Sequence, residues 1–401
     1  MLLSIDFMIA QFYNKVNKKL KEGVVMTEYI MTESEYKEDI IDFINYVFSQ
    51  NRCPHDFKTL MPKSYSDEVD GLGAVHHLIR EDGKIKALIA NRIIETVVCG
   101  KTLRYGLIGN VSVHPYSRGK GYMKDLMKRV IEDARKREVD VLVLSGQRQR
   151  YAYFGFEPAG TIFDFVVNRD NIRHAMAEVD TGDVSFLPFE QAKREAIHRA
   201  KKLYERCVFH AVRNENEFPL ILKTGNSPCY IIHINGVMAG YCHGPFGEIV
   251  LEEESDFPKV LKALFEKEGV NEVCFSLHPY HKERIAYLAR LCEYSRLRPV
   301  EQIKILNWAK AFDALFALKA TYARLEDGMK TVCVGGETIC ISVREGIPQV
   351  VKVDEPCSEA TTWNENDALC TLFGLDTLFG NDSFPQSWVP LTLPIDGPDT
   401  Y

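Results

Sequence analysis

No stretch of this chain approaches the roughly 20 consecutive apolar residues that span a bilayer, and no Cys-x-x-Cys pair occurs in it. The first absence argues against a membrane partner. The second, with 11 cysteines scattered and odd in number, argues against a zinc site or a disulfide framework and fits a reducing compartment. The opening "MLLSIDFMIA" lacks a basic segment before its apolar run and a small-residue cleavage site, so it makes a poor export signal. A net charge of −7 lacks the basic excess that nucleic acid demands. The glycine loop "YSRGKGYM" matches neither of two phosphate-binding motifs: no Gly-Lys-Ser/Thr ends it, and it is not Gly-x-Gly-x-x-Gly. The expectation is a cytoplasmic protein that holds no metal.

What remains is ordinary globular composition, 46% hydrophobic and 26% charged. The length of 401 residues exceeds one core and predicts two or three domains. Residues 1–25 read as a detachable extension, because "QFYNKVNKKLKEG" is polar and lysine-rich ahead of "VVMTEYIMTESEY". Met26 is then a candidate start; the alternative is a genuine N-terminal helix.

Residues 26–170 hold the first domain. "TESEYKEDIIDFINYVFSQ" opens with a Thr/Ser cap region and spaces its apolar residues as a helix. Three strand-like runs follow, "AVHHLIRE", "KIKALIANRIIETVVC" and "TLRYGLIGNVSVHP", joined by Asp82-Gly83 and Gly100-Lys101 into an antiparallel meander. After Pro115 the period changes. Met123, Leu126, Met127, Val130, Ile131 and Ala134 lie on one helical face. The apolar "VDVLVLS" then reads as a buried parallel strand, so Val111–Val113, the helix and Val141–Leu144 make a β–α–β unit.

Residues 171–297 repeat that order without its loop. "CYIIHI" and "VMAGYCHG" flank the hairpin signal Asn235-Gly236, and the helix "FPKVLKALFEKEG" precedes the strand "NEVCFSL". "LEEESD" reads as a solvated acidic loop that would repel a phosphate. Residues 298–401 hold a helix "WAKAFDALFALKA", the strand-rich "KTVCVGGETICISVREGIPQVVKV", a helix near "NENDALCTLFG" and a proline-studded tail. The tail ends on Tyr401, and an aromatic last residue suggests docking; Asp396 and Asp399 beside it read as solvated, the alternative being an acidic mouth for a polycation.

The chemistry concentrates at "HPYSRGKGYM", where a strand becomes a helix. Unpaired N–H groups and the helix dipole favour an anion there. Gly119 and Gly121 let backbone approach it, and Arg118 and Lys120 add charge. The loop therefore predicts phosphate or pyrophosphate. His278-Pro-Tyr-His281 lacks a third ligand for a metal. His76-His77, on a strand, should face opposite sides with one exposed.

The order of "NVSVHP", "YSRGKGYM", helix, apolar strand and "YFGFEPAG" resembles the GNAT acetyltransferase superfamily. Its signature, Gln/Arg-x-x-Gly-x-Gly/Ala, reads here Tyr116-Ser117-Arg118-Gly119-Lys120-Gly121, with Tyr116 departing from Gln/Arg. The whole chain from Met26 resembles the enhanced-intracellular-survival type. The fold this implies is α+β: two tandem GNAT-like α/β domains with mixed sheets and flanking helices, 26–170 catalytic and 171–297 degenerate, then a sterol-carrier-protein-like α/β domain over 298–401. The resemblance implies acetyl-CoA as co-substrate, bound by Val111, Ser112 and Val113 on the strand and by Arg118, Gly119, Lys120, Gly121 and Tyr122 in the loop and first turn.

It also implies Tyr151, in "RYAYFGF", as general acid and the Tyr401 carboxylate as base, with Tyr153 a rival to Tyr151 if the register slips. A carboxylate titrating near 3.5 is ionised at neutral pH and can take an ammonium proton. A tyrosine titrating near 10 stays protonated for the leaving sulfur. The backbone near Val111 could polarise the thioester carbonyl. The implied acceptors are small polycationic, aminoglycoside-like amines, and the implied assembly is a homo-oligomer, trimer or hexamer. A protein-lysine acetyltransferase and a non-catalytic acyl-CoA- or lipid-binding module are the alternatives.

Overall fold

The computed structural model describes residues 27–50, 53–244, 247–354, 360–380 and 382–401. The Met26 start and the extension before it lie outside the described residues.

The first sheet grows from the expected meander. Strands β1 (Thr27–Thr32), β2 (Val75–Glu81), β3 (Lys84–Val98) and β4 (Lys101–Val113) pair antiparallel in sequence order, and β5 (Val141–Leu144) adds parallel to β4. The helix Tyr122–Lys136 makes the crossover. It buries Leu126, Met127, Val130, Ile131 and Ala134 against this sheet, as its apolar spacing predicts. The helix Lys37–Ser49 packs below with Ile40, Ile41, Phe43, Ile44 and Val47 buried. Its cap differs from expectation. Tyr36 stands at the N-cap with no side-chain bond, while the Thr32 hydroxyl accepts from the Ser34 and Glu35 amides one turn earlier.

The far edge of the sheet is completed from a distance. β6 (Glu157–Ala159) is separated from β5 by a strand of residues 301–305, antiparallel to both. In exchange, β7 (Ile162–Asn168) leaves for a three-stranded sheet between residues 272–277 and 295–298. The two halves are interlocked by this trade, and no local pattern announces it. The Asn235-Gly236 hairpin forms as expected, with φ of 52° and 75° at the two residues. "LEEESD" is partly solvated, but three of its four acids are paired: Glu252 with Arg199 and Arg206, Glu254 with Arg284 and Asp256 with Lys259.

The C-terminal part sets the helix Trp308–Tyr322 against a four-stranded sheet, and the tail then crosses the molecule. Leu391 N–H donates to Leu372, the Thr392 hydroxyl donates to Thr161, and the Ile395 amide donates to the His278 ring. Leu391, Leu393 and Ile395 are buried in the largest core. The tail has no α-helix, only single 3-10 turns, in keeping with its prolines. Among the described residues no helix is long and apolar enough to cross a membrane.

Candidate active site

β4 is the strand that builds the site. Its parallel pairing with β5 runs from Tyr105 to Ile108 and stops at Leu144. Gly109–Val113 continues beyond, still held by β3 on its other side. The register to β3 slips here, and Asn110 takes φ 50°, a left-handed value that asparagine tolerates better than most residues. The strands therefore part. Backbone of Val111–Val113 faces the opening without a strand partner, which suits an extended chain lying alongside.

The opening leads to a cleft of about 790 Å³, lined by Val111, Ser112 and Val113 on one side and by Arg118, Gly119, Gly121 and Tyr122 at its head. Gly119 and Gly121 have φ of 83° and 86°, which a side chain would strain, and no heavy atom lies within 4 Å of a Cβ built on either. The helix behind them is uncapped by any side chain, so its first amides point outward. The basic residues divide the work. The Lys120 ammonium lies 3.2 Å from Glu81, which Tyr122 also bonds. Those bonds, the Tyr122 one foremost, hold the Glu81 carboxyl below its usual range. Arg118 is exposed and has no side-chain partner among the described residues. Tyr116 is 89% exposed, with its ring 5.7 Å from His114, which stacks on Tyr46. Seven of the eight cofactor-binding candidates line this one cleft, and the eighth, Lys120, turns toward Glu81.

Behind Val111 lies a second cavity of about 450 Å³. Tyr151 and Tyr401 both line it, so the structure brings the two proposed catalytic residues to one space. Tyr151 sits in the short helix Arg148–Ala152 with its ring against Gly146. Burial raises its pKa above the ordinary phenol value, keeping the hydroxyl protonated. Tyr153, the rival, is 63% exposed under the Lys124 ammonium and lines neither cavity.

Tyr401 is held by groups that no local pattern in the sequence singles out. Its hydroxyl lies 2.6 Å from that of Tyr65, which also accepts from Asn110 Nδ2 at 2.6 Å. Tyr65 Oη is 2.9 Å from His76 Nε2, and His76 Nδ1 faces the Ala74 carbonyl at 2.9 Å. The carbonyl takes the Nδ1 proton, so Nε2 accepts from Tyr65. Burial lowers the His76 pKa to about 4, consistent with a neutral ring. Both His76 and His77 are buried, against the expectation of one exposed; His77 lies 3.5 Å from Asp133.

The buried Lys63 donates to the Pro398 and Thr400 carbonyls. Burial, then the Arg92 charge, hold its ammonium well below the usual lysine range. Between Pro398 and Thr400, Asp399 meets Arg213 at 2.7 Å; Arg213 also grips Glu248 and lies over the Tyr204 ring. Asp399 is buried, which overturns its reading as solvated. Burial opposes its charge, yet Arg213, Lys63 and Arg92 keep its pKa below the ordinary value. Asp396, half-buried and bonded by the Tyr204 hydroxyl at 2.6 Å, is pushed up to about 8 by burial and by Glu248.

Comparison with known proteins agrees with this architecture. Residues 28–159 match the family described as Acetyltransferase (GNAT) domain. Among solved structures, the chain is similar to a probable N-acyltransferase of Enterococcus faecalis (TM-score 0.64, 14% identity, 94% of this chain and 100% of that one). It is similar to Eis1 of Mycobacterium abscessus (0.60, 14%, 94% and 100%). A GCN5-related N-acetyltransferase of Anabaena variabilis gives 0.59 at 14%, over 92% and 98%. At such identity the likeness speaks for the fold. No curated protein matches the chain. The first part of the chain is a GNAT acetyltransferase domain within a mixed α/β fold, and the protein is an N-acetyltransferase of that type. Such enzymes use acetyl-CoA as co-substrate.

Proposed function

We propose that the protein transfers acetyl from acetyl-CoA directly to a primary amine, with Tyr151 as acid and the carboxylate of Tyr401 as base. The observation that carries this reading is the shared cavity: Tyr151 and Tyr401 line one space, and Val111 opens it to the cleft of the glycine loop. The loop amides, Arg118 and the free edge of Val111–Val113 hold the co-substrate, which supplies a thioester. The Tyr401 carboxylate attracts the ammonium and takes its proton. As the C–N bond forms and the C–S bond breaks, Tyr151 gives its proton to sulfur. No cysteine is needed. Thiol release from acetyl-CoA on adding a primary amine tests this, and tight CoA binding without release on any amine would refute it in favour of a binding module.

Three finer readings belong to the same proposal. The residues 171–297 act as a degenerate GNAT-like unit that supplies Arg213 to the tail. Residues 298–401, a helix on a four-stranded sheet, act as a sterol-carrier-protein-like unit whose role is to deliver Tyr401. The assembly is a homo-oligomer, as the enhanced-intracellular-survival resemblance implies, and light scattering showing a monomer would remove that reading. The resemblance also implies an aminoglycoside-like polycation as acceptor, but that reading is not part of this proposal, because the lining of the cavity opposes it.

A further inference from the structure

The cavity that holds Tyr151 and Tyr401 is unusual in what lines it. Among the described residues not one Asp, Glu, Lys or Arg side chain borders it. One wall is aromatic: the Phe48 and Phe57 rings meet edge to face at 5.2 Å, and His55 stacks on Phe57 at 5.9 Å. Leu60 and Met61 extend that wall. The carboxylates of Glu248, Glu254, Asp396 and Glu301 border a different cavity, of about 590 Å³, and Glu301, whose pKa burial raises, also borders a small space beside Tyr401. In the larger of these Glu248 is bound by Arg213 and Glu254 by Arg284. Asp396 also borders it, with its carboxyl protonated over much of the neutral range.

An ammonium buried without a counter-charge loses its hydration for nothing. A polycation placed at Tyr151 would leave every amine but the reacting one in that position. An apolar body would instead cover Phe48, Phe57, Leu60 and Met61, as ligand pockets of this make-up require.

We propose that this cavity selects a primary amine with a single positive charge carried on an aromatic or aliphatic body, an arylalkylamine-type acceptor, and discriminates against polycations. This rests on the proposed amine acetylation, in which the Tyr401 carboxylate meets the one ammonium. Phe48, Phe57 and Leu60 are then the residues that set specificity.

The test is calorimetric titration of the full chain, saturated with CoA, using phenethylamine, spermidine and kanamycin. Phenethylamine should bind at least tenfold tighter than either polycation. Leu60→Glu, which places an acid in the half-buried wall, should weaken phenethylamine and strengthen spermidine, each about tenfold. Tighter binding of spermidine or kanamycin to the unaltered protein would overturn the proposal, and so would no binding of phenethylamine. Thiol release with acetyl-CoA is scored separately. Selective phenethylamine binding without release supports the selectivity and refutes the acetylation. Release that is fastest on polycations does the reverse.

Discussion

The side chain of Tyr401 packs directly against Gly109: a Cβ added at position 109 would stand 1.9 Å from Cδ1 and 2.3 Å from Cγ of its ring. The two residues are 292 positions apart, and the contact brings the end of the chain to the point where β4 parts from β5. Tyr401 packs on the core of the first sheet and on that of the helix Lys37–Ser49 at once. The docked tail is thus part of the wall of the candidate site.

Gly109→Ala should therefore displace the tail without touching the glycine loop. Overpacking of this kind costs about 1–3 kcal/mol, so the melting temperature should fall modestly. Turnover should drop sharply while CoA affinity holds. Equal loss of both would place the tail outside the reaction.

Tyr151→Phe removes one hydroxyl and keeps the ring. A general acid contributes about 10²–10⁴-fold, and kcat should fall within that range with CoA binding unchanged. Because burial raises the Tyr151 pKa, the wild-type alkaline limb of kcat should lie above the usual phenol value. Phe at 151 should abolish that limb.

Arg213→Met leaves Glu248 and Asp399 buried without their cation. Breaking a buried pair in this way costs about 3–5 kcal/mol, which denaturant unfolding should show. Burial of Asp399 rests on that charge, so limited proteolysis should cut the tail first.

Asp396 gives the protein a pH dependence of defined sign. Its pKa in the fold is about 8, against an ordinary carboxyl in the unfolded chain. Folding takes up a proton in that window, so its contribution is full below about pH 4 and is lost as the pH rises through 8. Asp399 runs the other way: its depressed pKa adds stability that is lost only as the pH falls below the ordinary carboxyl range. Asp396→Asn should flatten the decline in melting temperature between pH 5 and 8. An unchanged slope would contradict the assignment.

The loop was legible because its cause is local. Two glycines, two basic residues and the helical spacing from Met123 to Ala134 lie within 17 consecutive positions, and the sheet takes the order the turn signals set. The docked Tyr401 was hinted at by an aromatic last residue, but its anchors were not. Lys63 bonds carbonyls more than 330 positions away, and Arg213 meets an acid 186 positions on. Periodicity carries no trace of such pairs, so Asp399 and His76-His77 were read as ordinary surface or strand residues. The strand 301–305 carries no such signal either: its hydrophobic pattern says it is buried, not which sheet receives it.

The most direct measurement is steady-state thiol release by the full chain, by the chain lacking Tyr401 and by Tyr401→Phe, each with CoA affinity measured alongside. The account predicts that deletion lowers kcat by at least a hundredfold with CoA affinity intact. It predicts that Tyr401→Phe, which keeps the carboxylate but loses the bond to Tyr65, retains most of the rate. Undiminished turnover after deletion would contradict the account, because the base would then have to be some other group.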